Sequence, residues 1–228
     1  MNGIITIFEP EFEALKDYSL VEEIQKLAHR KYFSGRLNEQ QVVFTLVEND
    51  PLNLAIAAQI MIDHYKVKRI LFTCQAVPLV PYIKTGDIIV AKYLVQAVAA
   101  DKRSAPMLEA DDLLLNTIRT VCDTHTEDRP PHIFGTILHP GYLEEDTARI
   151  RILQQEYGAL GIDASGTAIA HTCVRNDIPF AALEIAVEDA DSGTAGIKEK
   201  IDRACKEVFE IKGMALVELT VAAITANI

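Results

Sequence analysis

Hydrophobic positions along this chain fall into short branched runs separated by longer polar stretches with helical spacing. Residues 3–8 (Gly-Ile-Ile-Thr-Ile-Phe) predict a buried strand. Glu9, Pro10 and Glu11 follow at once. Proline suits a first helical turn, and carboxylates there are favoured by the helix dipole. Over 20–33, Leu20, Val21, Ile24, Leu27 and Ala28 recur at helical spacing and predict an amphipathic helix. Gly35 and Asn38 then mark a turn, and 41–47 predicts a second strand. Asp50 and Pro51 suit the cap and first position of a helix running to Tyr65. Leu52, Leu54, Ile56, Ile60, Met61 and Ile62 surround that helix on nearly every side. Such a helix is enclosed by core or shared with another subunit.

Residues 67–73 predict a further strand, and Thr73 to Leu79 is read as the connection after it. A turn at Gly86 leads into a strand through Val90, while 91–107 shows no clear period. A helix is expected over 111–122, a polar segment over 124–131, and a strand over 132–138. Residues 144–157 read as a charged amphipathic helix with Ile150, Ile152 and Leu153 on its apolar side. A turn at Gly161 precedes a helix with small and apolar positions at Gly166, Ala168, Ile169, Ala170 and Cys173, ended by Asn176, Asp177 and Pro179. Residues 180–187 then have the length and apolar character of a central strand. Glu188, Asp189 and Asp191 follow, where open α/β folds place ligands, past the carboxyl ends of strands. Residues 195–227 read as mostly helical, with an interruption at Gly213.

Composition narrows the class. At 228 residues and 49% apolar content, one sizeable α/β core is expected, and 1–228 reads as a single domain. A net charge of −11 argues against nonspecific nucleic-acid binding, which needs Lys and Arg to meet phosphates. No apolar stretch approaches the roughly 18 residues of a membrane span, and no signal-peptide pattern opens the chain, so a cytoplasmic protein is expected. The four cysteines form no CxxC pair and read as reduced thiols, most of them buried. The six histidines lack ligand spacing on any one element, so neither a metal site nor a cofactor is expected.

The stretch Asp163-Ala-Ser-Gly-Thr-Ala-Ile-Ala-His-Thr-Cys173, then Ile178-Pro-Phe180, then Val187-Glu-Asp-Ala-Asp191, carries a specific resemblance. It resembles the nucleoside phosphorylase superfamily, closest to the methylthioadenosine/S-adenosylhomocysteine nucleosidases. Their pattern is E-M-E-[GA]-x-A-I-A-x-V-C, V-P-F and S-D-x-A-D. Lys84-Thr-Gly-Asp-Ile-Ile-Val90 and the opening strand with Glu11 fit the same family. The resemblance implies a three-layer α/β/α fold around a central mixed, partly barrel-like sheet. It implies Glu11 as general base and Glu188 at the position of the general acid, one methylene longer than the family's Asp. It places Tyr142, followed by Leu143, where an aromatic stacks on the purine. Asp163, Ala164 and Ser165 stand at the sugar-binding E-M-E, and Gln75 lies in the loop that the family writes T-G-S-A-G-G-L.

Departures from the pattern bear on chemistry. Thr73-Cys-Gln-Ala-Val-Pro-Leu79 has lost all three glycines and holds no arginine for a phosphate, which weighs against a phosphorylase. Serine at 165 cannot accept both ribose hydroxyls as a carboxylate does. Cleaving an N-glycosidic bond needs an acid for the leaving base, a base for water, and polar groups that hold the sugar. The expected function is hydrolysis of a purine nucleoside such as methylthioadenosine or S-adenosylhomocysteine, or of a related nucleoside. The alternative is a catalytically weak or inactive nucleoside-binding or regulatory member of the same fold. The expected partners are a small-molecule nucleoside and a second copy of the chain in a homodimer.

Overall fold

The computed structural model describes residues 1–96, 106–124, 132–139, 147–187 and 216–225. Strand β1 (Asn2–Thr6) is buried at every position, as its branched sequence requires. Helix α1 (Glu9–Tyr18) has Pro10 in its first turn and buries Glu11, Phe12 and Leu15. Strands β2 (Leu20–Leu27), β3 (Arg30–Leu37) and β4 (Gln40–Leu46) form an antiparallel meander. Helix α2 (Pro51–Asp63) is capped by Asp50, whose side chain accepts the Asn53 N–H at 3.0 Å. Then come β5 (Ile70–Pro78), β6 (Ile88–Gln96), β7 (Met107–Glu109), α3 (Asp112–Thr124), β8 (His132–His139), α4 (Thr147–Tyr157), β9 (Ala159–Ile162), α5 (Gly166–Arg175) and β10 (Phe180–Ala186). A last helix, α6, covers 216–225.

The ten strands form one mixed sheet, part of which closes on itself. Strand β5 pairs in parallel with β1 and β10 and antiparallel with β9. Strand β10 joins β6, β6 joins β8, and β8 joins β9, so β10-β6-β8-β9-β5 is a closed five-stranded barrel. Closure removes the exposed edges of those strands. The barrel interior is tight: a Cβ at Gly161 would lie 3.2 Å from Ala76 Cβ, Ile89 Cδ1 and the Val77 carbonyl oxygen. Beyond β5, β1-β4-β3-β2 extends as an open wing, with β7 on the edge of β6.

Helices cover both faces of the wing. Phe12 on α1 meets Phe33 and Phe44 with ring centroids 5.2 and 5.8 Å apart. Ile4 is the register partner of Phe44. Gly3, one residue earlier, points to the opposite face, where Met61 of α2 would meet its Cβ at 3.1 Å. Helices α2 and α5 pack side by side on that second face. The result is the expected three-layer α/β/α arrangement around a partly barrel-like sheet.

Four expectations are corrected. Residues 20–33 are not a helix but the β2–β3 hairpin. Leu27 pairs with Arg30 across a two-residue turn, Ala28-His29, with φ of 46° and 62°. That is the primed turn favoured between twisted strands, here without the Asn-Gly that advertises it. Leu20 and Ile24, whose spacing suggested a buried helical face, are exposed on the edge strand, and Tyr32 and Phe33 fill the core instead. Asn38-Glu39 makes a second turn of the same kind, whereas Gly35 lies within β3.

The expected connection from Thr73 is strand: β5 begins at Ile70 and runs unbroken through Pro78. Without glycines the chain stays extended, and Pro78 is tolerated at the strand end. Gly161 belongs to β9 rather than to a turn, held by its pairing to β5 and β8. Residues 91–107, which showed no period, contain the second half of β6 and the start of β7.

Gly35 offers a test of the hairpin. A Cβ there would sit 2.1 Å from the Leu20 carbonyl oxygen and 2.9 Å from the Glu22 nitrogen, at the bulge between Val21 and Glu23. Backbone atoms cannot swing aside. Gly35→Ala is expected to destabilise the protein by about 2 kcal/mol, the middle of the usual range for overpacking. Urea denaturation reads this as a lowered midpoint, and an unchanged midpoint would show that the bulge is free to shift.

Candidate active site

The site is built around two buried carboxyl centres. The first is Glu11, in the opening turn of α1, fully buried. Thr6 ends β1 and Thr73 lies on β5, and the two are register partners, so their hydroxyls project side by side. Both donate to Glu11 Oε2 at 2.5 Å, and Thr220 of α6 donates to Oε1 at 3.0 Å. Burial pushes the Glu11 carboxyl up to about 7, against the opposing pull of those three hydroxyls. A carboxylate has about four lone-pair sites, so three donors leave one, on Oε1, for a further proton donor. A carboxyl that titrates near 7 and keeps a free acceptor position can take a proton from water at neutral pH.

The second centre is the turn that opens α5. Asp163 follows β9, and its carboxylate turns inward to accept the Ser165 N–H at 2.9 Å and the Gly166 N–H. These are two of the N–H groups that a helix start leaves without intrahelical partners. His139, at the end of β8, approaches the Asp163 carbonyl oxygen at 3.0 Å through Nδ1. A carbonyl only accepts, so Nδ1 carries the hydrogen. The Ser165 hydroxyl donates to Asn49, in the link between β4 and α2. Below this turn lie Cys74 on β5 and Glu184 on β10. Burial, then the charges of Glu184, Asp163 and Glu11, push the Cys74 thiol up. Burial raises Asp163 too, against the opposing effects of His139 and the backbone N–H groups. Glu184 is driven well above the carboxylate range by burial and then by the charge of Asp163.

Among the residues expected from the sequence, Glu11, Gln75, Asp163 and Ser165 are buried, and Ala164 is half-buried between the last two. Gln75 stands on β5, opposite Ile185 of β10. Glu188, Tyr142 and Leu143 lie outside the described residues. Sequence reasoning missed Thr6, Thr73, Thr220, Asn49, Cys74, His139 and Glu184. The signal for three of them was present: a threonine near the carboxyl end of an otherwise apolar strand, twice, and a lone glutamate inside the apolar run 180–187. The partners of those residues come from distant parts of the chain, which no local pattern reveals.

A sheet closed around a barrel, with helices on both faces and a buried acid at the first strand–helix junction, defines a class of α/β proteins, and comparison with known proteins gives it a family. The Phosphorylase superfamily model matches residues 2–222, and the chain belongs to that family. Among curated relatives, the 5'-methylthioadenosine/S-adenosylhomocysteine nucleosidase of Staphylococcus haemolyticus is 27% identical over 223 residues, covering 92% of this chain and 96% of its own. That of Mycobacterium tuberculosis is 27% identical over 224 residues, covering 84% and 87%. The fold is shared with the nucleosidase of Neisseria meningitidis solved with methylthio-immucillin-A, at a TM-score of 0.84, 16% identity and 99% coverage of both chains. It is also shared with the futalosine hydrolase of Helicobacter pylori, at 0.82, 18% identity, and 98% and 96% coverage.

The raised Glu11 has a consequence for stability. The folded value of about 7 lies above the ordinary 4.5, so the folded state holds this proton more tightly than the unfolded chain. The associated stability is full below pH 4.5 and is lost as pH rises to about 7. The total is about 3 kcal/mol at roughly 1.4 kcal/mol per pH unit. Glu11→Gln removes this dependence. The difference in unfolding free energy between wild type and variant, measured by urea titration at a series of pH values, is therefore expected to shift towards the variant across that window. A constant difference would show that Glu11 is ionised throughout.

Proposed function

We propose that this protein hydrolyses the N-glycosidic bond of a purine nucleoside, methylthioadenosine, S-adenosylhomocysteine or a related nucleoside, in the cytoplasm. The observation that carries the reading is Glu11: a fully buried carboxyl, pushed up towards 7 by that burial and held by three hydroxyls from three separate elements. The names and activities of the curated relatives, aligned over nearly the whole chain, support the substrate class. The reading takes residues 1–228 as one domain.

In this reading Glu11 is the general base. It takes a proton from water as the water oxygen bonds to the anomeric carbon of the sugar. The bond from that carbon to the purine nitrogen breaks, and Glu188 delivers a proton to the leaving base. Both groups act in the transition state, where positive charge builds on the sugar. Tyr142 and Leu143 contact the purine. Ala164, Ser165 and Gln75 contact the sugar side, and Asp163 shapes that contact from below. Water is the acceptor and not phosphate, because the segment from Thr73 to Pro78 is β-strand in a closed barrel and 73–79 has no arginine to pair with a phosphate.

The test is release of free purine from methylthioadenosine, S-adenosylhomocysteine, common nucleosides and aminodeoxyfutalosine, with and without phosphate. Purine release without sugar phosphate is expected. The rate should rise with pH through about 7 as Glu11 ionises. Glu11→Gln and Glu188→Gln should each lower kcat by about 10²–10⁴-fold, with much smaller changes in KM. A protein that binds these nucleosides but releases no purine would be a binding member of the fold, and this reading would fail.

The protein acts as a homodimer. Helix α2 buries Leu54, Ala57, Ala58 and Met61, yet leaves Leu52 69% and Ile56 41% exposed on the same helix. An apolar surface on a helix that already fills its core face suits an isologous contact. Sedimentation at micromolar concentration is expected to give the dimer mass, and Leu52→Glu together with Ile56→Lys the monomer. Monomeric wild type would refute the assignment.

A further inference from the structure

Glu184 is the one carboxyl in the described core whose oxygens both lack a hydrogen-bond partner. It lies in the middle of β10 with no exposed surface. Its register partner on β5 is Cys74, so the two side chains leave neighbouring strands on the same face. Asp163 closes the group, and the ligand atoms of the three residues lie within 4.8 Å of one another. Gly166 makes this packing possible. A Cβ there would stand 2.6 Å from Asp163 Oδ2, 3.0 Å from the Phe72 ring and 3.3 Å from Glu184 Oε1. Among the described residues, the other titratable groups acting on the cluster are His139 from β8, on Asp163, and Glu11 from α1, on Cys74.

If both carboxylates here were ionised, Glu184 would be a buried charge without a hydrogen-bond donor beside a second negative charge, which costs several kcal/mol. A proton or a cation has to relieve them. The first turn of α5 decides between the two. Its N–H groups, the positive end of the helix dipole, point at Asp163. That end stabilises a negative charge on Asp163 and opposes a cation beside it. Asp163 is therefore the ionised member, and the proton belongs on Glu184, which has no N–H donor among the described residues to support a charge.

We propose that Glu184 is a neutral carboxylic acid that donates a hydrogen bond to the Asp163 carboxylate, and that this buried acid pair is the positioning device that fixes the 163–166 turn. The turn carries Ala164 and Ser165, so in the nucleosidase reading the pair sets where the sugar side of the substrate is met. Glu184 touches no substrate. It acts through Asp163, whose carboxylate binds the backbone of residues 165 and 166 and whose carbonyl binds His139. Burial and the charge of Asp163 both raise Glu184. Its contribution to stability is therefore present in acid and is lost as pH rises through its raised value.

Two variants separate this proposal from its rivals. Glu184→Gln keeps the planar head group and supplies a permanent N–H donor. Glu184→Leu keeps the bulk and donates nothing. The infrared difference spectrum between wild type and Glu184→Gln, recorded at neutral pH, is expected to show the carbonyl stretch of a neutral carboxylic acid in wild type alone. Thermal midpoints are expected to match for wild type and Glu184→Gln in mild acid and to favour the Gln variant in alkali. Glu184→Leu should be less stable at both, and should raise KM for the nucleoside more than it lowers kcat. The proposal is overturned if that infrared band is missing. It is equally overturned if Glu184→Gln is as unstable as Glu184→Leu with an unchanged pH profile, or if purified wild type holds one metal ion per chain that the Gln variant lacks. The infrared and thermal measurements need no turnover, so a failure of the acid pair is distinguishable from a failure of the nucleosidase reading.

Discussion

The hydrogen bonds to Glu11 tie the opening strand and helix to two elements far along the chain. The carboxyl belongs to α1, and its donors to β1, β5 and α6. Burying it is costly unless hydrogen bonds replace the water it loses. That requirement constrains its neighbours: β1 and β5 must pair in the register that aligns Thr6 with Thr73, and α6 must return across some 209 positions of sequence to present Thr220. The Asn2 side chain reinforces the return by donating to the Ile224 carbonyl at 3.1 Å. The same desolvation that makes Glu11 demanding to bury raises its proton affinity into the range a catalytic base needs.

Barrel closure produces a second consequence. The β5–β10 pairing that shuts the barrel is also what sets Cys74 opposite Glu184. Both face α5, whose first turn needs an anion for its N–H groups and finds one in Asp163. The two acidic centres thus stand at successive residues of one strand, Thr73 serving Glu11 on one face and Cys74 meeting Glu184 on the other. A change in the β5 register would disturb both at once.

Within its family the chain combines a retained framework with altered residues. The opening strand, the first-turn acid and the G-x-A-I-A segment stand where the resemblance puts them, on β1, α1 and α5. The segment that the resemblance aligns with a glycine loop runs here, from Thr73 to Pro78, within a nine-residue strand buried throughout. Extended backbone with side chains at every position cannot approach a ligand as a glycine loop does.

The fold class, the family, the first-turn acid at Glu11 and the capped helix at Asp50 were legible along the chain, because each is written in local patterns: branched runs, cap residues, a signature segment. It misled at 20–33, where leucine and isoleucine at helical spacing belong to an edge strand whose exposed face tolerates them, and where Ala28-His29 turns without the residues that usually announce a turn. Tertiary structure was needed to show that β5 runs through to Pro78, because that extension is held by β9 and β10, strands more than 80 residues later. It alone decided which threonines bind Glu11, and that a glutamate in an apolar strand lies beside Asp163. Local sequence records the propensities of neighbours along the chain. Register between distant strands is fixed by what their side chains meet across the sheet, and both carboxyl centres of this protein are defined by such meetings.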